Sequence, residues 1–553
     1  MRSFINNLGL LFLFFSFSHC ADVSCPESIT INTPTGSFPT DGPAFFPANY
    51  RCTIEFKIPT GKYVEIGTRN NLKYGGLTND TLIIQDAAST QYRYYVLDKV
   101  FYAPADVAKL FITTYSITSN FYITWKYLDV TGFKKNQYPT GTILSMNLTA
   151  NNYYQFTSPK SQVAFHTGSI GGDNDLSIYR IYVYDGDDLN AKFLGNLYQF
   201  TLTDMVSSGK SLTLVNYFNT TLHSYGIAND YSAISNYDGY GFVVLSSYID
   251  YFMHGKSVAG KETVVTVFCT DCRFAYLNYI SFLNSSVAGQ EVRVRPMTPT
   301  DGYYANLLTY NVQRPTNTSL PQQIATNLFT LSLYQAEAYV GIITRSQGWS
   351  NGAPGRTGTI ISPSLWSPKT VLTDSYFTNI TTSSTSRFVF NIKSVVIGNI
   401  GPKLRVEVGS SGSTPMGVEF TNSAKNTGDK VAMGTYMSTS FTGSTSASSF
   451  IMDFSIEESI ETSTKASASL ITFSVMKFFL AFAIMAIIVG ILSADGGCGE
   501  NEIFNECGSP CDKTCADPVP TCIEMCKARC ECRPGFVIHP TTKKCVNLKN
   551  CPK

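Results

Sequence analysis

Between residues 21 and 457, short apolar and aromatic runs alternate with turns rich in Gly, Asn, Asp and Pro. Tyr63-Val64-Glu65-Ile66, Thr81-Leu82-Ile83-Ile84 and Phe121-Tyr122-Ile123-Thr124-Trp125 are typical of the runs. Such spacing predicts strands of all-β sandwiches. The region divides near 130, 248 and 370 into four units of similar size: 21–129, 130–247, 248–369 and 370–457. Each is read as a β-sandwich, and the third includes a Gly-, Pro- and Arg-bearing linker from Gly348 to Gly358.

Two longer apolar stretches break this rhythm. The first, residues 8–17, follows Arg2 and precedes Ser18-His19-Cys20, so residues 1–20 are expected to be a signal peptide. The second, residues 470–492, carries only Lys477 as a charge and is long enough to cross a bilayer as one apolar helix. Membrane anchoring would leave the cysteine-dense residues 495–553 in the cytosol, where thiols stay reduced. Read instead as a second signal, Met476-Lys477 is its charged start, 478–492 its apolar core and Ser493-Ala494 its cleavage site. On that reading 470–494 joins two secreted products.

Composition narrows the partners. Lys and Arg total 41 against 40 for Asp and Glu, so no broad positive field exists to attract a phosphate backbone, and nucleic acid is excluded as an expected partner. Charged residues are only 15% of the chain, while Phe numbers 37 and Tyr 33, which suits half-buried pleated surfaces. Removing Cys20 with the signal leaves an even set: Cys25 with Cys52, Cys269 with Cys272, and ten cysteines between 498 and 551. Asn-x-Ser/Thr sequons at Asn79, Asn147, Asn219, Asn284, Asn317 and Asn379 are candidate glycosylation sites of an extracellular or cell-surface chain.

The opening Cys25-Pro26-Glu27-Ser28-Ile29-Thr30-Ile31-Asn32, the Cys52 after it, and strands ending in Asp at Asp86 and Asp185-Gly186 resemble the CUB-like domains of nematode secreted and surface proteins. The resemblance covers residues 25–129 and, more loosely, the second unit. It implies a jelly-roll β-sandwich with Cys25 paired to Cys52, and surface or secreted defence roles. Glu65 and Asp80 match acidic positions of the calcium site in many CUB domains, but a third ligand cannot be placed. They are read as solvated turn carboxylates, and no metal or cofactor is expected.

The ten C-terminal cysteines stand at 498, 507, 511, 515, 522, 526, 530, 532, 545 and 551, a density that marks a disulfide framework in a secreted chain. Spacing alone leaves their pairing open. Their gaps, Cys530-Glu531-Cys532, Pro534-Gly535-Phe536-Val537 and the ending Asn550-Cys551-Pro552-Lys553 resemble the trypsin inhibitor-like, Ascaris-type cysteine-rich domain. The resemblance implies bridges Cys498–Cys530, Cys507–Cys526, Cys511–Cys522, Cys515–Cys551 and Cys532–Cys545, and a protease-binding loop of Ile523, Glu524 and Met525. In the family's register Glu524 enters the specificity pocket and Met525 follows the scissile bond. A glutamate there would meet the carboxylate of a trypsin-like pocket, so a serine protease other than trypsin is the expected partner.

Catalysis finds little support. Gly348-Trp349-Ser350-Asn351-Gly352 fits the nucleophile-elbow pattern, but Ala353-Pro354-Gly355 cannot begin the helix an elbow requires. Cys269-Thr270-Asp271-Cys272 has redox spacing without a βαβ context and is read as a local disulfide clip. His166, His223 and His254 stand alone as surface or turn residues. The expected class is therefore mainly β: CUB-like jelly-roll units, one apolar helix and a small disulfide-rich C-terminal domain. The expected function is serine-type endopeptidase inhibition, and the alternative is a secreted or surface binding protein of innate defence with a glycan or microbial surface ligand.

Overall fold

A computed structural model describes residues 23–73, 80–93, 98–104, 106–171, 175–201, 205–218, 222–283, 288–313, 316–346, 348–370, 375–398, 401–442, 447–459, 501–508, 512, 514–517, 527–533, 536–547 and 551. The chain divides into two compact units, residues 1–459 and 460–553. The apolar segment 470–494 and the signal at 1–20 lie outside the described residues, and among the described residues no helix is long and apolar enough to cross a membrane.

Strands form where apolar and polar residues alternate. Tyr50–Lys57 buries Tyr50, Cys52, Ile54 and Phe56 and turns the intervening residues outward. Val107–Thr114 repeats the pattern with Ala108, Leu110, Ile112 and Thr114. A period of two sends alternate side chains to opposite faces, so each strand supplies one row to a sheet interior.

In the first sandwich, one sheet runs in the order Glu27–Ile31, Tyr50–Lys57, Val107–Thr114, Thr81–Gln85, Gln91–Arg93. It faces a second sheet ordered Thr35–Phe38, Asn120–Asp129, Lys62–Asn71, Asp98–Pro104. Glu27–Ile31 is parallel to Tyr50–Lys57, and Cys25 is bonded to Cys52 with their Cα atoms 5.5 Å apart. Ile54, Phe56, Ile66, Leu110, Ile123 and Trp125 fill the space between the sheets.

The next two sandwiches repeat that topology, apart from the two-residue strand Ala44–Phe45 that adds to Asn120–Asp129 in the first. In the second, the first sheet is Lys134–Pro139, Asn152–Thr157, Ser211–Asn216, Ile181–Asp185, Lys192–Asn196, and the second is Ile143–Ser145, Ser224–Asp230, Val163–Ser169, Met205–Val206. In the third, the first sheet is Gly239–Leu245, Glu262–Cys269, Leu328–Tyr334, Glu291–Pro296, Leu308–Asn311, and the second is Asp250–Lys256, Glu337–Ile343, Ala275–Phe282, Gln322–Ile324. Every first sheet opens with an edge strand parallel to its neighbour. The third sandwich thus shares the architecture of the first, although its sequence lacks the paired opening cysteines that carried the resemblance.

Successive sandwiches are joined by outward-facing side chains. Tyr63, Tyr102 and Leu128, on the outer side of the first sandwich's second sheet, meet Tyr182, Tyr184, Val215 and Tyr217 on the outer side of the next sandwich's first sheet. Tyr63 stacks on Tyr217 at 4.4 Å, the Tyr182 hydroxyl donates to the Tyr102 carbonyl, and the Tyr184 and Tyr217 hydroxyls lie 2.8 Å apart. Ile143, Tyr225 and Ile227 of the second sandwich's second sheet then meet Phe242, Val244 and Phe268 of the third's first sheet.

The fourth unit differs from expectation. It is one seven-stranded sheet beginning at Thr357 rather than a sandwich over 370–457. Its organising strand, Tyr376–Val396, is 21 residues long and pairs with Lys430–Thr442 along one part and Ser449–Glu457 along another. The face carrying Tyr376, Ile380, Phe388, Phe390 and Ile392 shares a continuous core with the third sandwich. Alternation in sequence records that a face is buried without recording what covers it, and here the cover is the third sandwich instead of a second sheet.

The stretch read as a linker is also structured. Trp349 is buried with its indole N–H 2.8 Å from the Thr378 hydroxyl, and the buried Arg356 guanidinium donates to the carbonyls of Leu320, at 2.7 Å, and Pro321. Desolvation lowers the Arg356 pKa from its ordinary value. Gln322 binds Thr359 twice, from Nε2 to its carbonyl at 2.6 Å and from its N–H to Oε1 at 3.0 Å. Arg356→Met leaves two carbonyls without their donor and is expected to cost about 1–3 kcal/mol, read as a lower urea midpoint for the third sandwich and its attached sheet.

Candidate functional site

The C-terminal unit is built on two short antiparallel ribbons. Glu502–Gly508 pairs with Lys527–Cys532, placing Phe504 opposite Cys530, and Phe536–Ile538 pairs with Cys545–Asn547. Val537 and Cys545 are its buried apolar residues among those described, too little to hold a fold by burial alone. Covalent links take that role. Cys532–Cys545 ties the first ribbon to the second, and Cys515–Cys551 ties the preceding segment to the chain's last residues. Cys530 is disulfide-bonded too.

Backbone contacts reinforce the frame. Thr514 bridges to Ile538, and the Cys515 N–H donates to the Ile538 carbonyl at 3.2 Å. Arg529 pairs with Asp512, and the Arg533 N–H donates to the Asn501 carbonyl at 2.9 Å. Ile523, Glu524 and Met525 lie outside the described residues, as do Cys498, Cys511, Cys522 and Cys526; Cys507 belongs to the strand Glu502–Gly508. Lys527–Cys532 begins two residues after Met525, so the candidate loop runs directly into a strand held by the ribbon and by the Cys532 bridge.

The other predicted residues are dispersed. Asn147 is exposed, Asn317 is exposed on the short helix Thr316–Ser319, and Asn379 is half-buried within Tyr376–Val396. Asn79, Asn219 and Asn284 lie outside the described residues. Asp80 is not a solvated turn carboxylate: it is fully buried, accepting from the Ser119 hydroxyl and from the N–H groups of Tyr115 at 2.5 Å and Ser116 at 3.2 Å. Those donors clamp a loop and occupy both carboxylate oxygens. Glu65 lies on Lys62–Asn71 opposite Tyr102, where its charge, after burial, helps push the Tyr102 hydroxyl up to about 12.

Cys269, Asp271 and Cys272 are the one cluster of three metal-type ligands among the described residues. The two cysteines are bonded to each other, and the Ser247 hydroxyl and N–H hold the Asp271 carboxylate at 2.6 and 2.7 Å, lowering its pKa. Ser350 of the Gly-x-Ser-x-Gly stretch uses its carbonyl to accept from the Thr381 N–H at 2.8 Å, and Asn351 bridges to Thr381, so the stretch is a sheet margin. His166 packs on Tyr240 at 4.7 Å where the second and third sandwiches meet, His223 is exposed, and His254 pairs with Glu337 at 3.3 Å.

Comparison with known proteins places both ends of the chain. The description "Trypsin Inhibitor like cysteine rich domain" matches residues 498–551, and "CUB-like domain" matches residues 20–131. The "Chymotrypsin inhibitor" of Apis mellifera is 44% identical over 55 residues, which are 10% of this chain and 96% of that protein. Through residues 498–551, the chain belongs to the trypsin inhibitor-like cysteine-rich domain family. The family stretch is also 45% identical over 58 residues to "Serine protease inhibitor swm-1" of Caenorhabditis elegans and 44% identical over 59 residues to "Mucin-6" of Gallus gallus. The chain spans 42% of the length of that inhibitor and 5% of that mucin, and each match is 10% of this chain. The matched stretches at the two ends are similar to inhibitor and CUB-like domains, not to an enzyme.

For the trypsin inhibitor-like unit, Cys532→Ser combined with Cys545→Ser opens a link of 13 residues and is expected to cost roughly 3 kcal/mol. The check is protease susceptibility of residues 495–553, which should rise while that of the β region stays unchanged.

Proposed function

We propose that residues 498–551 inhibit a serine protease by presenting Ile523, Glu524 and Met525 as a constrained substrate-like segment, synthesised in one chain with an extracellular CUB-like β region. The observation that carries this reading is the near-complete coverage of the honeybee chymotrypsin inhibitor by the same stretch. The frame around the loop supports it. Bridges at Cys515–Cys551 and Cys532–Cys545 restrain the neighbouring chain before any protease is met, so little ordering entropy remains to be lost on binding. An extended segment of that kind enters a protease cleft as an added strand.

Mechanistically, a restrained loop keeps the leaving amine beside the acyl-enzyme after attack and favours religation over release. Glu524 in the specificity pocket disfavours trypsin, because two desolvated like charges would face each other. The extracellular setting agrees with the cystines, which persist in oxidising compartments. The similarity to a mucin supports a different reading, in which the unit is a structural spacer and the CUB-like region binds a glycan or microbial surface ligand.

Oxidatively folded residues 495–553, assayed against trypsin, chymotrypsin, elastase and a glutamate-specific serine protease, are expected to inhibit an enzyme other than trypsin. Glu524→Arg is expected to shift inhibition toward trypsin by at least tenfold. If neither protein slows any enzyme of the panel, the spacer reading stands instead. Cleavage near Ala494 separates the β region from the inhibitor on this proposal, so intact mass of the secreted material should show two species; one glycosylated species containing both regions would overturn the cleavage.

A further inference from the structure

Within the β region one docking rule is used twice. The outer side of a sandwich's second sheet packs on the outer side of the next sandwich's first sheet, by Tyr63 and Tyr102 on Tyr182 and Tyr217, and again by Tyr225 and Ile227 on Phe242 and Val244. The third sandwich carries the same second sheet, but the sheet that follows it attaches elsewhere, along the Gln322–Ile324 edge. Among the described residues, that attachment covers the outer side of the third sandwich's second sheet at Tyr276, Gln323 and Ile343 and leaves the remainder of that side open.

That open face is aromatic. Across three neighbouring strands Phe252, Gly341 and Tyr279 form one row, and His254, Tyr339 and Ser281 form the next. Phe252 is 60% exposed, Tyr279 45% and Tyr339 43%, although soluble sheet faces usually turn polar side chains to water. Phe252 and Tyr279 close over Gly341 with ring centroids 6.2 Å apart; a Cβ at Gly341 would come within 2.7 Å of the Phe252 ring and 2.9 Å of Tyr279. Acidic and basic pairs stand at the margins, Lys256–Glu337 and Arg345–Asp250, and Glu337 also reaches His254 at 3.3 Å.

The opposite end of the same series supplies a complementary surface. The first sandwich's first sheet has no sandwich on its outer side among the described residues. Thr53, Phe111 and Ile83 form its middle row, flanked by Glu55, Lys109 and Gln85, with Lys57 and Lys109 both bridged to Glu55. Phe111 and Ile83 lie on the strands equivalent to those that carry Val215 and Tyr182, which receive the first sandwich inside the chain. An apolar middle with a charged rim is the anatomy of a protein interface.

We propose that the open face around Phe252, Tyr279 and Tyr339 receives the Phe111 and Ile83 face of a second copy, continuing the intramolecular stacking head to tail. The two faces differ, so the contact is heterologous, and copies add end to end unless the rotation between them closes a ring. The occupant is a second copy because the chain itself already shows, at two junctions, which sheet covers a second sheet of this kind.

The full chain, purified in a mild detergent, tests the proposal by light scattering during size-exclusion chromatography over a dilution series. The parent is expected to form species larger than a dimer as concentration rises, while Phe252→Asp and Phe111→Asp each stay monomeric, with unchanged thermal unfolding as the control for folding. Mixed one to one, the two variants each retain the face the other lacks, so they are expected to form a dimer and nothing larger. Tyr279→Asp and Ile83→Asp form a second pair if either first variant unfolds. A parent that remains monomeric throughout overturns the proposal and leaves the aromatic face to a different ligand. Association that only Phe252→Asp abolishes, with no dimer on mixing, also overturns it, since that pattern marks a symmetric contact.

Discussion

The stack of Tyr63 on Tyr217, with Tyr182 donating to the Tyr102 carbonyl beside it, orients the β region. The first two sandwiches each have a core of their own, while the third shares one with the sheet that follows it. Their mutual orientation depends on side chains that point away from those cores. Tyrosine suits the task because its ring buries a large apolar area while its hydroxyl must still find a partner, and finding one restricts the geometry. Burial raises the Tyr184 and Tyr217 hydroxyls above their ordinary range, and each finds the other as its partner at 2.8 Å. An apolar contact of Ile143, Tyr225 and Ile227 with Phe242, Val244 and Phe268 joins the second and third sandwiches in turn.

The fourth sheet solves a different problem. Its buried face is covered by the third sandwich, and the covering is locked by polar atoms that have no better partner: Arg356 on two backbone carbonyls, Gln322 on the Thr359 backbone, and the Tyr376 hydroxyl 2.6 Å from the Gln323 side-chain oxygen. Buried donors and acceptors that satisfy each other across a junction cost much more to separate than to keep together. This junction uses the edge of the third sandwich, which leaves the outer face around Phe252, Tyr279 and Tyr339 uncovered among the described residues.

The C-terminal unit inverts the balance of forces. With few buried apolar side chains among its described residues, it relies on covalent links to limit its unfolded ensemble. In the proposed inhibitor role, the bridges that keep the unit folded also keep the segment after Met525 in place.

What the sequence determined by itself was local or covalent. Alternation at Tyr50–Lys57 and Val107–Thr114 specified strands and their buried rows, because side-chain direction in a strand follows directly from position. Cysteine density between 498 and 551 specified a stapled unit and, through its spacing, the family. The shared topology of the third sandwich, the conversion of the Gly348-to-Gly358 stretch into a packed junction and the burial of Asp80 were decided only in three dimensions. Each depends on which surface meets which, and residues far apart in sequence, such as Asp80 with Ser119 or Arg356 with Leu320, become partners only when the fold brings them together.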